Sequence, residues 1–467
     1  MQKITLVVIL LFGSFLLFYR LLELMPFIGD QGWFYLAARN GIFSGSVPLI
    51  GVASSHPWLH QGAFWTYLLM IIFPLTHFNP FAPGVFTAGI GVFTIFLVYL
   101  FGKHMFNQTV ALSAAFLYAT SPLIIVIARE PYHTSLIPLL VLLFIYAFYR
   151  WLNGSVTYFP VTIFLIACLY NFEIATLPFT FILLLTLFYS IWKRLHFVRA
   201  LVSKKILSLS FLAWFVPMLP MLIYDSTHGF PQTLKFILWL GYRFARLFGY
   251  PDIHGDIIYT PLEPFLPFTA RQLQRLLFLP NQLIAVIFFI IIFVTISFYM
   301  YHVIKKKKKD VALVSLYLCF AVPFGSYIIF HTSSDAYWPM LIPPIIFVCA
   351  YAIYRLLFIK KMFVQGILLL IFVGSVNAYL VINQSYFMHS GNYPLAQRIE
   401  ISKQIITQAN GKKYTIIGKG PGSQFDSFTM NYEYLTWWLG NPSSKDNKTI
   451  KIQVEENNTR VSVRRIQ

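Results

Sequence analysis

The chain has 467 residues, of which 58% are hydrophobic and only 11% charged, with a formal net charge of +19. A mean hydropathy of +0.69 excludes a soluble globular protein and marks a polytopic membrane protein. The basic excess lies in short runs between apolar segments, as the positive-inside bias distributes it, so it argues for no nucleic-acid partner.

Ile4 to Met25 supplies about twenty apolar residues, enough to cross a hydrocarbon core of about 30 Å. No small-residue cleavage site precedes the polar stretch that follows, so this segment reads as an uncleaved first span. Arg20 and Glu23, three apart near its end, can pair at the interface. Then comes the first long polar break, Pro26 to Gln61, PFIGDQGWFYLAARNGIFSGSVPLIGVASSHPWLHQ. It carries Asp30 beside Gln31, Trp33 and Tyr35. Gly62 to Pro74 offers about thirteen apolar residues, which suits an interfacial or re-entrant helix better than a span.

Further spans are expected at Phe81 to Phe101, Thr109 to Ala128, Ser135 to Leu152, Tyr158 to Tyr170, Ile174 to Trp192 and Ile206 to Tyr224. Four more follow at Asn281 to Ile304, Val311 to Phe330, Tyr337 to Phe358 and Val364 to Ile382. With the N-terminus cytoplasmic, Lys103, Arg150, Lys193, Arg194, Lys204, Lys205, Lys305 to Lys309, Lys360 and Lys361 then all fall in cytoplasmic turns. A crossing at Gly62 to Pro74 would put every later basic turn outside. The sequence therefore predicts an all-α polytopic membrane protein of about eleven transmembrane helices.

Residues 1–382 form the expected membrane domain, with outer loops 26–61, 129–134 and 225–280. Residues 383–467 form a small α/β or β-rich extracytoplasmic domain. Within it KKYTIIGKG, FTMNYEYLTWWLG, TIKIQVEEN and TRVSVRRI read as short strands separated by Gly, Asn and Pro turns. The long loop holds two amphipathic pieces, LKFILWLGYRFARLFGY and ARQLQRLLFL. Cys168, Cys319 and Cys349 all sit in apolar stretches, which leaves no disulfide framework or zinc-type spacing.

The outer loops carry the candidate chemistry. Asp30, just past a helix end in an aromatic loop, has the place of a general base for an acceptor hydroxyl, and equally that of a helix N-cap. In AREPYHTS, Arg129 can meet a phosphate and Glu130 can orient a sugar hydroxyl or hold a metal; alternatively the two form an interface ion pair. His56 and His60 are four apart around Pro57, a ligating spacing with no third ligand in sequence. Arg243 with Arg246, and Arg271 with Arg275, share helix faces on an outer loop, where either a lipid phosphate or headgroup anchoring explains them. Asp335, Tyr337 and Trp338 occupy the last outer turn.

The ordered set GDQGWFYLAARNG, SSHPWLHQGAFWTYLL, YLFGKHMFNQTVALSAAFLYATSP, AREPYHTSLIPLL and SDAYWPMLIPP resembles the membrane glycosyltransferases of the GT-C fold. It is most similar to the branch related to protein O-mannosyltransferases and the lipid A aminoarabinose transferase. The resemblance covers about the first 200 residues well and the tail hardly at all. It implies transfer of a sugar, with inversion, from a polyprenyl-phosphate carrier to an acceptor protein, lipid or glycan on the outer face of the inner membrane. It places the first-loop acid on Asp30 and the second outer acid on Glu130. Departures are Gln31 where many members have Glu, and His56-Pro57 where Pro-Pro is common; they leave a divalent cation open, since Gln adds no charge to a cation site.

On this reading Asp30 and Glu130 are catalytic, and Arg129, Arg243 and Arg246 hold the donor phosphate. Gln31, Tyr35, His56, His60, His133 and Tyr337 contact substrate. The rival from another class is a polyprenyl-linked sugar flippase or other transporter; its expected deep ionisable groups are almost missing from the span centres.

Overall fold

The structure is a computed structural model that describes all residues except 1, 54–58, 195–197, 199–200, 202, 251–252, 255–256, 259–262, 307–309, 360–361, 384–392, 445–449, 458–459 and 467. The helices in chain order are α1 (Gln2–Phe18), α2 (Leu21–Leu24), α3 (Gly29–Ser44), α4 (Phe64–Leu75), α5 (Ala82–Met105), α6 (Gln108–Thr120), α7 (Pro122–Arg129), α8 (Ile137–Leu152), α9 (Tyr158–Phe172) and α10 (Pro178–Trp192). They continue as α11 (Lys204–His228), α12 (Pro231–Arg246), α13 (Phe265–Leu277), α14 (Gln282–Lys305), α15 (Val311–Ile329), α16 (Trp338–Ile353), α17 (Phe363–Asn383), α18 (Leu395–Ala409) and α19 (Met430–Trp438). Strands β1 (Ile253–His254) and β2 (Ile257–Ile258) form a hairpin in the long loop, and β3 (Tyr414–Lys419), β4 (Ile450–Glu456) and β5 (Val461–Arg465) lie in the tail.

The chain is an integral membrane protein. Among the described residues, eight helical segments are long and apolar enough to cross a bilayer, and α6 with α7, bent by 63°, makes a ninth if counted as one span. The bend falls at Ser121-Pro122, where proline lacks the amide hydrogen of a continuing helix and drives Ser121 to an extended φ of −72° and ψ of 122°. Nine of the eleven expected spans fall on these segments; the other two fall on α1 and α9, apolar helices shorter than those eight. The remaining short apolar helix, α4, is the segment assigned to the interface. Its twelve residues reach about 18 Å, well short of the hydrocarbon core. Both its ends are held at one end of the bundle, Phe64 against Phe172 at the end of α9 and Phe73 against Tyr434 of the tail.

At the centre of the bundle α16 is buried along its whole length. A helix covered on every side must be apolar on every side, which is why WPMLIPPIIFVCAYAI shows no polar face. Lipid-facing helices contrast with it: α11 and α14 expose Leu207, Phe211, Val216, Leu283, Ile290 and Val294.

The tail is a three-stranded sheet, β3 parallel to β4 and β4 antiparallel to β5, packed on α18. Ile401 and Ile405 of α18 meet Tyr414, Ile416, Ile452 and Val454 of the sheet in its core. Arg398 is buried and donates from Nη1 and Nη2 to the two carboxylate oxygens of Glu456, at 2.5 and 3.2 Å, while Tyr432 donates to Oε1 at 2.8 Å. That network ties α18, α19 and β4 together.

Three of the four expected tail strands are β3, β4 and β5. The fourth, FTMNYEYLTWWLG, is instead a short 3-10 turn leading into α19. Its alternating rings mimic a strand, yet the buried set Asn431, Tyr432, Tyr434 and Leu435 follows helical spacing, because α19 is covered by the sheet core on one side and by α3 on the other.

Candidate active site

The site is built on the start of α3. Its N-cap is Ile28, not Asp30. The cap is closed from inside the helix: Gln31 Oε1 accepts the Ile28 amide at 2.8 Å. Asp30 is thus the second helical residue, where a carboxylate is favoured by the helix dipole without having to bond the backbone. It is half-buried and accepts a hydrogen bond from the Tyr132 hydroxyl at 3.4 Å.

Two glycines let this turn lie flush against the tail. A Cβ on Gly29 would stand 2.1 Å from the Ser427 carbonyl oxygen, and one on Gly32 would stand 2.2 Å from the Asn431 nitrogen. Asn431 Nδ2 in turn donates to the Phe27 carbonyl at 3.1 Å. The GDQG sequence is therefore a docking surface as well as the carrier of Asp30.

The second acid comes from the turn between α7 and α8. Gln31 Nε2 donates to Glu130 Oε1 at 3.3 Å, so one buried glutamine caps α3 and holds Glu130. Burial pushes the Glu130 carboxyl up to about 7; the negative charges of Asp335 and Asp30 add to the shift and the Arg275 guanidinium opposes it. Burial, with the charges of Asp30, Glu130 and Glu173, also holds the Tyr132 phenol well above its usual range, so Tyr132 keeps its proton and donates it toward Asp30.

The cations come from the long loop. Arg275 of α13 faces Asp335 at 3.8 Å, and Gln272 Nε2 also donates to that carboxylate. Arg243 of α12 donates to the Tyr337 hydroxyl at 2.7 Å and lies over the Trp239 ring at 5.1 Å from its centroid. Its Nη1 is buried without a hydrogen-bond partner among the described residues. Both arginines thus converge on the Asp335–Tyr337 turn, close to Glu130.

Several expected contacts lie elsewhere. Arg129 is 1% exposed, with Nε donating to the Leu17 carbonyl at 3.1 Å and Nη2 to that of Leu16. Its guanidinium serves the open carbonyls at the end of α1, which a helix terminus must satisfy somehow, and not a solvent-facing phosphate. Tyr35 is fully buried among Phe27, Phe73 and Tyr434, with its hydroxyl on the Pro80 carbonyl at 3.2 Å, a packing position. His60 Nδ1 is 3.0 Å from the Gly51 carbonyl, and its amide donates to Gln232 at 2.9 Å. His56 lies outside the described residues. Arg246 ends α12 beside Arg243.

Sequence reasoning missed Glu173. This carboxylate is 9% exposed and receives Gln61 Nε2 at 3.0 Å and His133 Nε2 at 3.2 Å through one oxygen, and the Ala175 amide at 3.2 Å through the other. It fixes the His133 ring, which packs against Phe34 and Tyr132, next to the Asp30 side of the site. A carboxylate at the junction of two apolar segments was the available signal. Among the described residues no group of three or more His, Cys, Asp or Glu is placed to hold a metal ion.

No protein-family profile and no curated protein sequence matches the chain. Solved structures do. The fold of the chain is the GT-C fold. The apo oligosaccharyltransferase of Archaeoglobus fulgidus superimposes with a TM-score of 0.58 at 14% identity, over 96% of this chain and 60% of that one. ArnT from Cupriavidus metallidurans bound to undecaprenyl phosphate gives 0.58 at 12% identity, over 97% and 93%. AglB from Archaeoglobus fulgidus with an inhibitory peptide and a dolichol-phosphate gives 0.52 at 14% identity. This chain spans 60% of the archaeal enzyme's length, and these likenesses establish its fold.

Proposed function

We propose that the chain is an inverting glycosyltransferase that moves a sugar from a polyprenyl-phosphate-linked donor to an acceptor hydroxyl of a protein, lipid or envelope glycan at the outer face of the inner membrane. The observation that carries this reading is the meeting of Asp30, at the start of α3, and Glu130, in the turn after α7, through Gln31 and the turn bearing Tyr132. Arg275 and Arg243, from α13 and α12, contact the adjoining Asp335–Tyr337 turn. An acid pair beside cations is the charge pattern that displacement from a phosphate calls for. The lipid phosphates named with two of the structural neighbours are consistent with a carrier of that class.

In the reaction the acceptor oxygen attacks the anomeric carbon from the face opposite the phosphate. The bond from that carbon to the phosphate oxygen breaks, and the lipid phosphate leaves with the electron pair. Asp30 takes the acceptor's proton, with Tyr132 holding the carboxylate in place. Glu130 orients the sugar and shares the proton balance of the pair. Arg275 and Arg243, rather than the buried Arg129, stabilise the departing phosphate, while Glu173 positions His133 against the substrate. The reactive end of the bundle faces outward and the N-terminus lies in the cytoplasm, in line with the basic turns.

Asp30→Asn tests this directly with purified protein, a labelled polyprenyl-phosphate sugar and a membrane extract as acceptor. A general base contributes about 10² to 10⁴ in rate, so turnover should fall at least about a hundredfold while thermal stability and donor binding persist. Near-normal turnover in this variant removes the assigned base and the reading with it.

A further inference from the structure

A cavity of about 360 Å³ opens at the seam between α3 and the tail, lined by Arg39, Asn40, Phe43, Glu433, Trp437 and Ser443 among others. Its size falls within the range of about 300–1,000 Å³ usual for small-molecule sites. Arg39 follows Asp30 by nine residues, which at 3.6 residues per turn puts it on the far side of α3. The cavity is therefore separate from the acid pair.

The lining is prepared in a particular way. The Arg39 guanidinium lies over the Trp437 ring, 4.7 Å from its centroid, and donates from Nε and Nη2 to Asn40 Oδ1 at 3.1 and 2.7 Å. That contact holds the Asn40 amide by its oxygen, and its Nδ2 has no hydrogen-bond partner among the described residues. Glu433 is steadied through Oε1 by the Thr429 hydroxyl at 2.8 Å. Phe43 stands edge-on to Trp437 at 5.9 Å yet is 66% exposed, an apolar ring offered to whatever enters.

The opposite charges of Arg39 and Glu433 balance. An anionic ligand would meet the Glu433 carboxylate, a cationic one the Arg39 guanidinium, and a hydrocarbon chain would strip water from both charges and from the Asn40 amide. A neutral pyranose avoids all three penalties: its C–H face can lie on an aromatic ring, and its hydroxyls can both donate to Glu433 and accept from Asn40 and Arg39.

We propose that this cleft is a subsite for a neutral hexose or N-acetylhexosamine unit of the acceptor, which makes the acceptor an oligosaccharide or a glycan-bearing molecule. The proposal rests on the glycosyl-transfer reading above. A glycan reaching from the cleft to Asp30 spans the width of one helix, about 10–12 Å, and nine residues of its length, about 13–14 Å, roughly 17–18 Å in all, and the terminal sugar receives the transferred residue while an inner one is gripped at the seam.

The test is saturation-transfer NMR on the full-length detergent-purified protein titrated with mannobiose, maltose and diacetylchitobiose, a binding readout independent of turnover. At least one probe should saturate with a dissociation constant of millimolar order, and Asn40→Ala and Glu433→Gln, each melting as wild type, should weaken it by about tenfold or more. Asp30→Asn should bind the probe as wild type does. Absence of saturable binding for all three sugars overturns the proposal, as does binding within about twofold of wild type in both cleft variants. Loss of binding in Asp30→Asn also overturns it, since the probe then sits at the acid pair. Should Asp30→Asn retain turnover, the glycosyl-transfer reading fails while the titration still reports on the cleft alone.

Discussion

Replacing Gly32 by alanine tests whether the tail positions the acid pair. The added Cβ would stand 2.2 Å from the Asn431 nitrogen, 2.4 Å from its Cα and 2.4 Å from the Met430 carbonyl carbon. All three are backbone atoms of the first turn of α19, so no side chain can rotate aside, and α19 must recede from α3 by about 1 Å. Overpacking of this kind costs about 1–3 kcal/mol. Asp30 is two residues away on the same turn, and a shift of about 1 Å in a positioned group is worth about a hundredfold in rate. Gly32→Ala should therefore insert normally, keep the bundle intact, and lose transfer by about that factor. Hydrogen exchange should quicken in both Gly29–Ser44 and Met430–Trp438. Gly89→Ala is the control: its Cβ would meet nothing within 4 Å, and in a helix this change is neutral or stabilising by up to about 1 kcal/mol. Wild-type exchange in both helices, together with wild-type transfer in Gly32→Ala, refutes the docking argument.

Glu130 gives a pH signature. Its carboxyl, ordinarily near 4.5, titrates at about 7, so the folded protein keeps a proton that the unfolded chain has already released. Raising the pH between those values should cost stability, and Glu130→Gln should abolish that part of the slope in a melting series. The ionised pair accepts the acceptor's proton more readily, so transfer should rise with pH to a plateau above about 7; persistence of that limb in Glu130→Gln contradicts the assignment. Arg129→Met should leave donor affinity within about twofold of wild type but lower stability by about 1–3 kcal/mol, since it strands buried carbonyls at the end of α1; collapse of donor binding at unchanged stability would return Arg129 to the phosphate. Glu456→Gln should destabilise the tail by about 3–5 kcal/mol, read by protease resistance, because it leaves the Arg398 charge buried without its carboxylate; a loss under about 1 kcal/mol would show that the tail closes without this ion pair.

The spans were readable in the sequence because a lipid-facing or fully buried helix must be apolar over a fixed length. Even α4 announced itself by being too short. Asp30 and Glu130 could be singled out because each sits in a polar break, a local property, and the structure links them through Gln31. What escaped depends on contacts across the chain. Arg129 looks like a phosphate ligand until α1 is placed beside it, 112 residues away. Glu173 gains meaning only from Gln61 and His133, and Tyr35, expected to contact substrate, is seen as a packing residue only once Phe73 and the tail's Tyr434 close over it. The strand expected at FTMNYEYLTWWLG failed for the same reason: rings facing both the sheet and α3 erase the polar face by which a helix is recognised. Gly29 and Gly32 carried no signal at all, since only the backbone of the turn at Ser427–Phe428 and of the start of α19 requires them.

One contact has a bearing on biosynthesis. Asn431 reaches Phe27 across 404 residues, and the amide of Leu395 reaches the Met25 carbonyl at 2.9 Å. At about 5–20 residues per second a ribosome takes roughly 20–80 seconds to travel that distance. Through that interval the newly inserted first loop waits with its glycine-lined surface uncovered while nearly the whole bundle is laid down after it. The turn that carries Asp30 thus gets its final support only once α19 has been made, and a nascent chain halted after α17 would be threaded into the lipid yet still lack the surface on which this turn rests.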